Sequence, residues 1–173
     1  MAQFKIVTSF WRTNLPPGYS PIGISRGTPR GRSGYRRYTK LQPGVWFSST
    51  GLKEFTQLYN EQILGPLDPE VVVKDLIDIA DGGTPALLCW EPPEPGPQWC
   101  HRSLVSVWLW EKLGLEVPEF GHEHEGFGWS HPKLHPDVRR RPATIAHARA
   151  GISHQRATPA ASVQEPASLA DQS

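Results

Sequence analysis

The stretch from Ala86 to Lys112, ALLCWEPPEPGPQWCHRSLVSVWLWEK, most narrows what this chain can fold into. It opens with an apolar run of strand length, Ala86-Leu87-Leu88-Cys89-Trp90. Pro92, Pro93, Pro95 and Pro97 follow, with Gly96 among them. A segment so rich in proline fits neither a helix nor a central strand, because each ring removes a backbone donor and fixes φ. The loop then delivers Cys100-His101-Arg102 into a segment that reads as an amphipathic helix. Its apolar positions are Leu104, Val105, Val107, Trp108, Leu109 and Leu113, and Gly114 closes it. A thiol, an imidazole and a guanidinium therefore arrive together where a strand hands over to a helix. In an α/β protein, ligands bind at the carboxyl ends of strands. There a helix N-terminus with free N–H groups favours an anion.

The rest of the chain supplies partners for that strand and helix. Phe4 to Ser9 is β-branched and aromatic and reads as a first strand. Pro21-Ile22-Gly23-Ile24-Ser25 reads as a second, with its proline at the strand start. Ser48-Ser49-Thr50 stands ready to cap a helix from about Gly51 to Leu64, with Leu52, Phe55, Leu58, Tyr59 and Ile63 at helical spacing. Asp68-Pro69-Glu70 starts the next helix: acid at the cap, proline at the first position, acid in the first turn. That helix runs to about Ala80 and ends at Asp81-Gly82-Gly83. A helix joined by a short turn to a buried strand is half of a βαβ crossover. Leu115 to Pro118 reads as a last edge strand. The expected fold is an α/β three-layer sandwich over residues 1–135. Its small, mostly parallel sheet is built from strands near 4–9, 21–25 and 86–90. Residues 136–173, rich in Arg, Ala, Pro, Ser and Gln, are expected to be a disordered basic tail, since they bury too little to offset ordering entropy.

Charge is distributed unevenly. Residues 1–53 carry nine Lys or Arg and no acid; residues 54–128 carry fourteen acids against Lys74, Arg102 and Lys112. Either the two parts neutralise each other, or the basic one meets an acidic partner. Arg26 to Tyr38 concentrates five arginines and two tyrosines among three glycines and a proline, which argue against regular structure. It reads as a solvated loop or as a phosphate or nucleic-acid contact, with Arg30 and Tyr38 as candidates. The N-terminus lacks a signal-peptide pattern and no apolar run approaches a membrane span. Two cysteines make no disulfide scaffold. A soluble cytoplasmic protein with no membrane association is expected.

Each candidate residue has a structural and a functional reading. Cys100 is either a small buried side chain or a nucleophile activated by its helix N-terminus and by His101 and Arg102. His101 is either a loop-bonding imidazole or a general base. Arg102 works against the helix dipole in a first turn, so it needs an anion or an internal carboxylate, for which Glu91 is the obvious candidate. Successive helix residues diverge by about 100°, so the three side chains are not expected to face one ligand. Cys89 and Cys100 lack two further metal ligands at sensible spacing. His122, His124, His131 and His135 lie in a glycine-rich stretch, and no metal is expected. No phosphate-loop lysine motif, dinucleotide fingerprint, serine elbow or HExxH occurs, so no cofactor is expected.

Leu87-Leu88-Cys89-Trp90-Glu91, the Pro/Gly loop, Cys100-His101-Arg102 and Leu104-Val105 resemble the domain-of-unknown-function 488 family. Ile24-Ser25-Arg26-Gly27-Thr28-Pro29 with Tyr38, Leu41 and Pro43, then Tyr59 to Leu64 and Leu67-Asp68-Pro69, resemble one branch of it. The resemblance spans Phe4 to Phe120 and implies a compact α/β sandwich and a candidate site, with no activity attached. The leading expectation is a small anionic or phosphate-bearing ligand held by Arg26 and Arg102 beside Glu91. The alternatives are a hydrolase or transferase with Cys100 as nucleophile and His101 as base, and a nucleic-acid-binding accessory protein using residues 26–40.

Overall fold

The computed structural model describes residues 5–140; the beginning of the expected first strand and most of the expected tail lie outside the described residues. Four strands, β1 (Val7–Phe10), β2 (Tyr19–Gly23), β3 (Arg36–Arg37) and β4 (Thr84–Cys89), form one sheet in the order β1-β4-β2-β3. Every pairing is parallel. The register sets Phe10 beside Cys89 and Gly23 beside Leu88, so three strands end at one level. Three α-helices accompany the sheet: α1 (Leu52–Leu58), α2 (Pro69–Ala80) and α3 (His101–Leu113). Both α1 and α2 lie in the crossover from β2 to β4, as parallel pairing of those strands requires.

Alternation along β4 divides the interior. Leu87 joins Ile6, Ile22 and Ile24 in a core that takes in Phe55, Tyr59, Val72, Leu76, Val105 and Leu109 from the helical side. Ala86 and Leu88 point the other way, to Val7 and Trp11, where Leu15, Tyr19, Tyr35 and Phe120 pack over them. The third layer of the sandwich is thus supplied by loop side chains together with Tyr19 of β2. Each fully buried aliphatic side chain contributes roughly 1.5–3 kcal/mol to holding these layers together.

Local signals account for α2 in full. Asp68 Oδ1 accepts from the backbone N–H of Glu70 at 2.9 Å, Pro69 occupies the first position, and Asp81 ends the helix in the left-handed region at φ 49°. Elsewhere the structure departs from the sequence expectation. Gly51, not the Ser48-Ser49-Thr50 run, caps α1; the Ser49 and Thr50 hydroxyls donate instead to the Trp46 carbonyl. Past Leu58 the helix widens into a π-helix over Tyr59–Leu64. The Arg26–Tyr38 segment contains regular structure after all, because β3 pairs with Ile22 and Gly23. Its two arginines are exposed, and an edge pairing made by backbone groups leaves no apolar pattern to read.

Helix α3 differs most. An amphipathic helix was expected, yet His101 through Leu109 are all buried. The sheet covers one side, and the chain beyond α3 covers another. Glu119 forms a parallel bridge to Thr8, with Thr8 N–H donating to Pro118 O and Phe120 N–H to Thr8 O, both at 2.9 Å. The expected last strand is therefore a short bridge centred on Glu119. Gly128 N–H donates to Ser106 Oγ at 2.8 Å, and Cys100 N–H donates to Lys133 O at 2.9 Å. Packing continues to the end of the described chain, where Arg139 pairs with Glu125 at 2.7 Å and donates to Ser130 O. Among the described residues, no helix is long and apolar enough to cross a membrane.

Candidate thiol-imidazole site

The carboxyl ends of β2 and β4 and the start of α3 enclose a cavity of about 430 Å³. Ser25, Arg26, Cys89, Glu91, Cys100 and His101 line it, with Phe47, Phe55, Trp90 and Trp99 among its apolar walls. A larger apolar groove of about 530 Å³ between α1 and α3 holds neither thiol, and the reactive groups face the smaller space.

Each reactive side chain is placed by a different element. Cys89 is the last residue of β4, buried by the sheet. Cys100 is the N-cap of α3; its extended backbone, φ −145° and ψ 143°, is fixed by the Lys133 carbonyl behind it and by Ser103, whose N–H and hydroxyl both bond Cys100 O. His101 is the first residue of α3, with its ring edge-on to Tyr59 at 5.4 Å. Its Nε2 lies 3.2 Å from Ile24 O. A carbonyl only accepts, so Nε2 carries hydrogen and Nδ1 is the nitrogen that faces the sulfurs. That nitrogen is 3.6 Å from Cys89 Sγ and 3.9 Å from Cys100 Sγ. All three donor atoms fall within 4.8 Å of one another.

The two thiols are driven apart electrically. Burial pushes the Cys89 thiol well up, and its hydrogen bond to Cys100 adds to this. Burial opposes ionisation of Cys100 as well, but the Cys89 hydrogen bond and the charge of Arg102 win and hold it well below the ordinary thiol range. Glu91 is pushed up to about 7, by burial first and then by the neighbouring Cys100. Of the two sulfurs on the cavity floor, Cys100 is therefore the one disposed to ionise.

Arg102 does not line this cavity. Its guanidinium is fully buried and turned to Glu119, with Nε 2.9 Å from Oε2 and Nη2 3.0 Å from Oε1. Glu91, the partner expected from sequence, contributes its carbonyl at 2.9 Å and a distant carboxylate at 3.9 Å. The expected pair of ligand-holding arginines is thus divided: Arg26 lies at the cavity, whereas Arg102 is consumed by an internal acid. Arg26 is exposed, donates to Pro43 O at 3.1 Å and lies against the Phe47 ring. Two further expected ligand residues stand elsewhere. Tyr38 is buried in the main core with its hydroxyl on Asp75 at 2.8 Å, and Arg30 is exposed outside the cavity lining. The divergence expected along α3 holds for Arg102 but not for Cys100 and His101. Cys100 is still extended as the cap, so its side chain turns back toward the His101 ring.

Behind Arg102 runs a polar chain that sequence reading missed. Lys133 N–H donates to His131 Nδ1 at 3.1 Å, so His131 Nε2 carries hydrogen and donates to Thr8 Oγ1 at 2.7 Å. Thr8 Oγ1 in turn donates to Glu119 Oε2 at 2.7 Å. Thr8, Glu119 and His131 are completely buried. Burial, and then the charge of Arg102, hold His131 well below the ordinary imidazole range, so it is neutral in the folded protein. The unfolded chain protonates this ring below about pH 6.5 and the folded chain does not. A depressed folded pKa contributes stability that is complete above that pH and is lost as pH falls below it. Wild type should therefore lose urea resistance between pH 7 and 5 more steeply than His131→Gln, which has no ring to protonate; equal slopes would disprove the assignment.

Of the expected site residues, the structure gathers Cys100, His101, Glu91 and Arg26 around one cavity and adds Cys89 as a third donor. His101 completes the cluster, where sequence spacing had directed attention to the downstream histidines. His122 and His124 instead stack on each other at 6.1 Å, and His131 serves Thr8. The chain matches no family model, no curated protein and no solved structure.

Proposed function

We propose that the cavity is a thiolate-centred site for a small ligand that combines an anionic group with an electrophilic centre. The carrying observation is the convergence of Cys89 Sγ, Cys100 Sγ and His101 Nδ1 at the floor of a cavity with Arg26 at its side. An electron-rich floor repels a plain anion. The electrophilic part belongs there, and the anionic part belongs at the one arginine lining the cavity. The reading keeps the expected anionic ligand and its expected Arg26 contact, and drops Arg102 from the pair. Its family setting, the domain-of-unknown-function 488 group, rests on the sequence resemblance. A second reading, favoured by the 3.9 Å approach of His101 Nδ1 to Cys100 Sγ, is a hydrolase or transferase in which Cys100 attacks and His101 takes the proton.

Alkylation tests the ligand class directly. Iodoacetate is an anion with an electrophilic carbon, and iodoacetamide is its neutral counterpart. Relative to free cysteine, Cys100 should favour iodoacetate over iodoacetamide by about two- to five-fold, the worth of an exposed ion pair. Arg26→Met should erase that preference while leaving the iodoacetamide rate in place. No preference in wild type, or no alkylation of Cys100 by either reagent, refutes the site.

A further inference from the structure

We propose that Cys89 Sγ, Cys100 Sγ and His101 Nδ1 bind one soft divalent cation of the zinc class, whose fourth position opens on the cavity beside Glu91. This rests on the thiolate-centred reading and names the electrophile that the thiolates receive.

Four observations point the same way. The first is spacing. Two ligands on a tetrahedral zinc ion, with sulfur at about 2.3 Å and nitrogen at about 2.05 Å, stand roughly 3.6 Å apart. Cys89 Sγ is 3.6 Å and Cys100 Sγ 3.9 Å from His101 Nδ1, and all three donors lie within 4.8 Å of one another, so the nitrogen already stands at ligand spacing and the two sulfurs need close by at most about 1 Å to reach the roughly 3.8 Å of a tetrahedral pair. The second is the back of the imidazole. Nε2–H is held by the Ile24 carbonyl at 3.2 Å, the arrangement that fixes a ligating histidine's tautomer and leaves its other nitrogen free for a metal. The third is donor chemistry. Two sulfurs and one imidazole favour zinc over the hard cations magnesium and calcium. Three protein ligands with a position left for a small molecule are the pattern of catalytic rather than structural zinc.

The fourth is charge. A divalent cation with two thiolates is neutral as a unit, and the nearby Arg102 is already balanced by Glu119. Binding releases the thiol protons to solvent and changes no oxidation state. Beside the open position, Glu91 lines the cavity. Glu91 Oε2 is buried and has no hydrogen-bond partner.

The test uses the full chain, reduced, stripped with chelator and titrated with Co²⁺ and then Zn²⁺. One equivalent of Co²⁺ should give thiolate-to-metal charge transfer and tetrahedral bands, and Zn²⁺ should displace it. Cys89→Ser, Cys100→Ser and His101→Gln should each weaken Zn²⁺ binding by at least about 100-fold, as loss of a direct ligand exceeds loss of its outer support. His122→Ala with His124→Ala should leave it unchanged. Circular dichroism of each variant, with the Cys100→Ser protein retested for Co²⁺ charge transfer from its remaining sulfur, separates ligand loss from unfolding. Wild type that shows no charge transfer, yet alkylates at Cys100 with the iodoacetate preference, overturns the metal and leaves the thiolate site standing. Absence of both overturns both. Loss of binding in the His122/His124 variant alone overturns the ligand set.

Discussion

Glu119→Ala should cost about 3–5 kcal/mol of folding stability, the penalty for leaving a buried charge without its partner. Arg102 has no exposed surface, and Glu119 receives two of its hydrogen bonds. With the carboxylate gone, the guanidinium keeps only the Glu91 carbonyl and a carboxylate 3.9 Å away. Thr8 Oγ1 loses the shorter of its two acceptors at the same stroke and keeps only Pro118 O at 3.3 Å, which carries the disturbance to His131. Glu119→Gln should cost less, because an amide oxygen still accepts one bond. The double variant Arg102→Met, Glu119→Leu should recover most of the loss, because removing both charges also removes the need to desolvate them. Urea midpoints at constant m-value measure all three. A Glu119→Ala loss under about 1 kcal/mol would mean that the guanidinium finds water, and the buried pair would then be no anchor for α3.

That anchor also shows what the sequence could and could not disclose. Arg102 is badly placed for its own helix, and this local conflict signals that a partner exists. Nothing local says which one. Glu91 is near in sequence, but the chain returns seventeen positions later and sets Glu119 beside Thr8, a contact spanning 111 residues. The available signal was the alternation of Val117 and Glu119, both fully buried on a two-residue period. A lone acid in such a pattern is a buried acid and calls for a cation. Cys100 and His101 were legible because their placement is local: a proline-rich loop must end somewhere, and it ends at a helix cap. Strand β3 was not legible because its pairing is made by backbone groups under two exposed arginines. The full burial of α3 was missed for a related reason. A histidine- and glycine-rich segment carries little apolar pattern, yet His131, Lys133 and Leu134 are buried. Polar side chains that satisfy one another can close a core, and a scale of apolarity does not register them.

Trp11→Ala should destabilise the fold by about 3–5 kcal/mol and disturb the cavity from the opposite side of the sheet. The indole is fully buried and is the largest side chain in the layer that Val7, Ala86 and Leu88 present away from the helices. It sits so close to β2 that a Cβ at Gly23 would lie 2.6 Å from its ring, which is why that strand position carries no side chain. Its second role is directional. Trp11 Nε1–H donates to Ser25 Oγ at 2.8 Å, and Ser25 Oγ donates to Gly27 O at 2.7 Å. Gly27 O also accepts from Trp90 Nε1 at 3.0 Å. Ser25, Gly27 and Trp90 all line the cavity, and Arg26 sits between the first two. Trp11→Phe separates packing from placement. It keeps most of the apolar volume and loses the one donor, at about 1 kcal/mol in stability. If the indole holds the Arg26 wall in place, the Phe variant should lose most of the iodoacetate preference at Cys100 while its iodoacetamide rate stays near wild type. A Phe variant as selective as wild type would confine Trp11 to packing and leave Arg26 positioned by Pro43 and Phe47 alone.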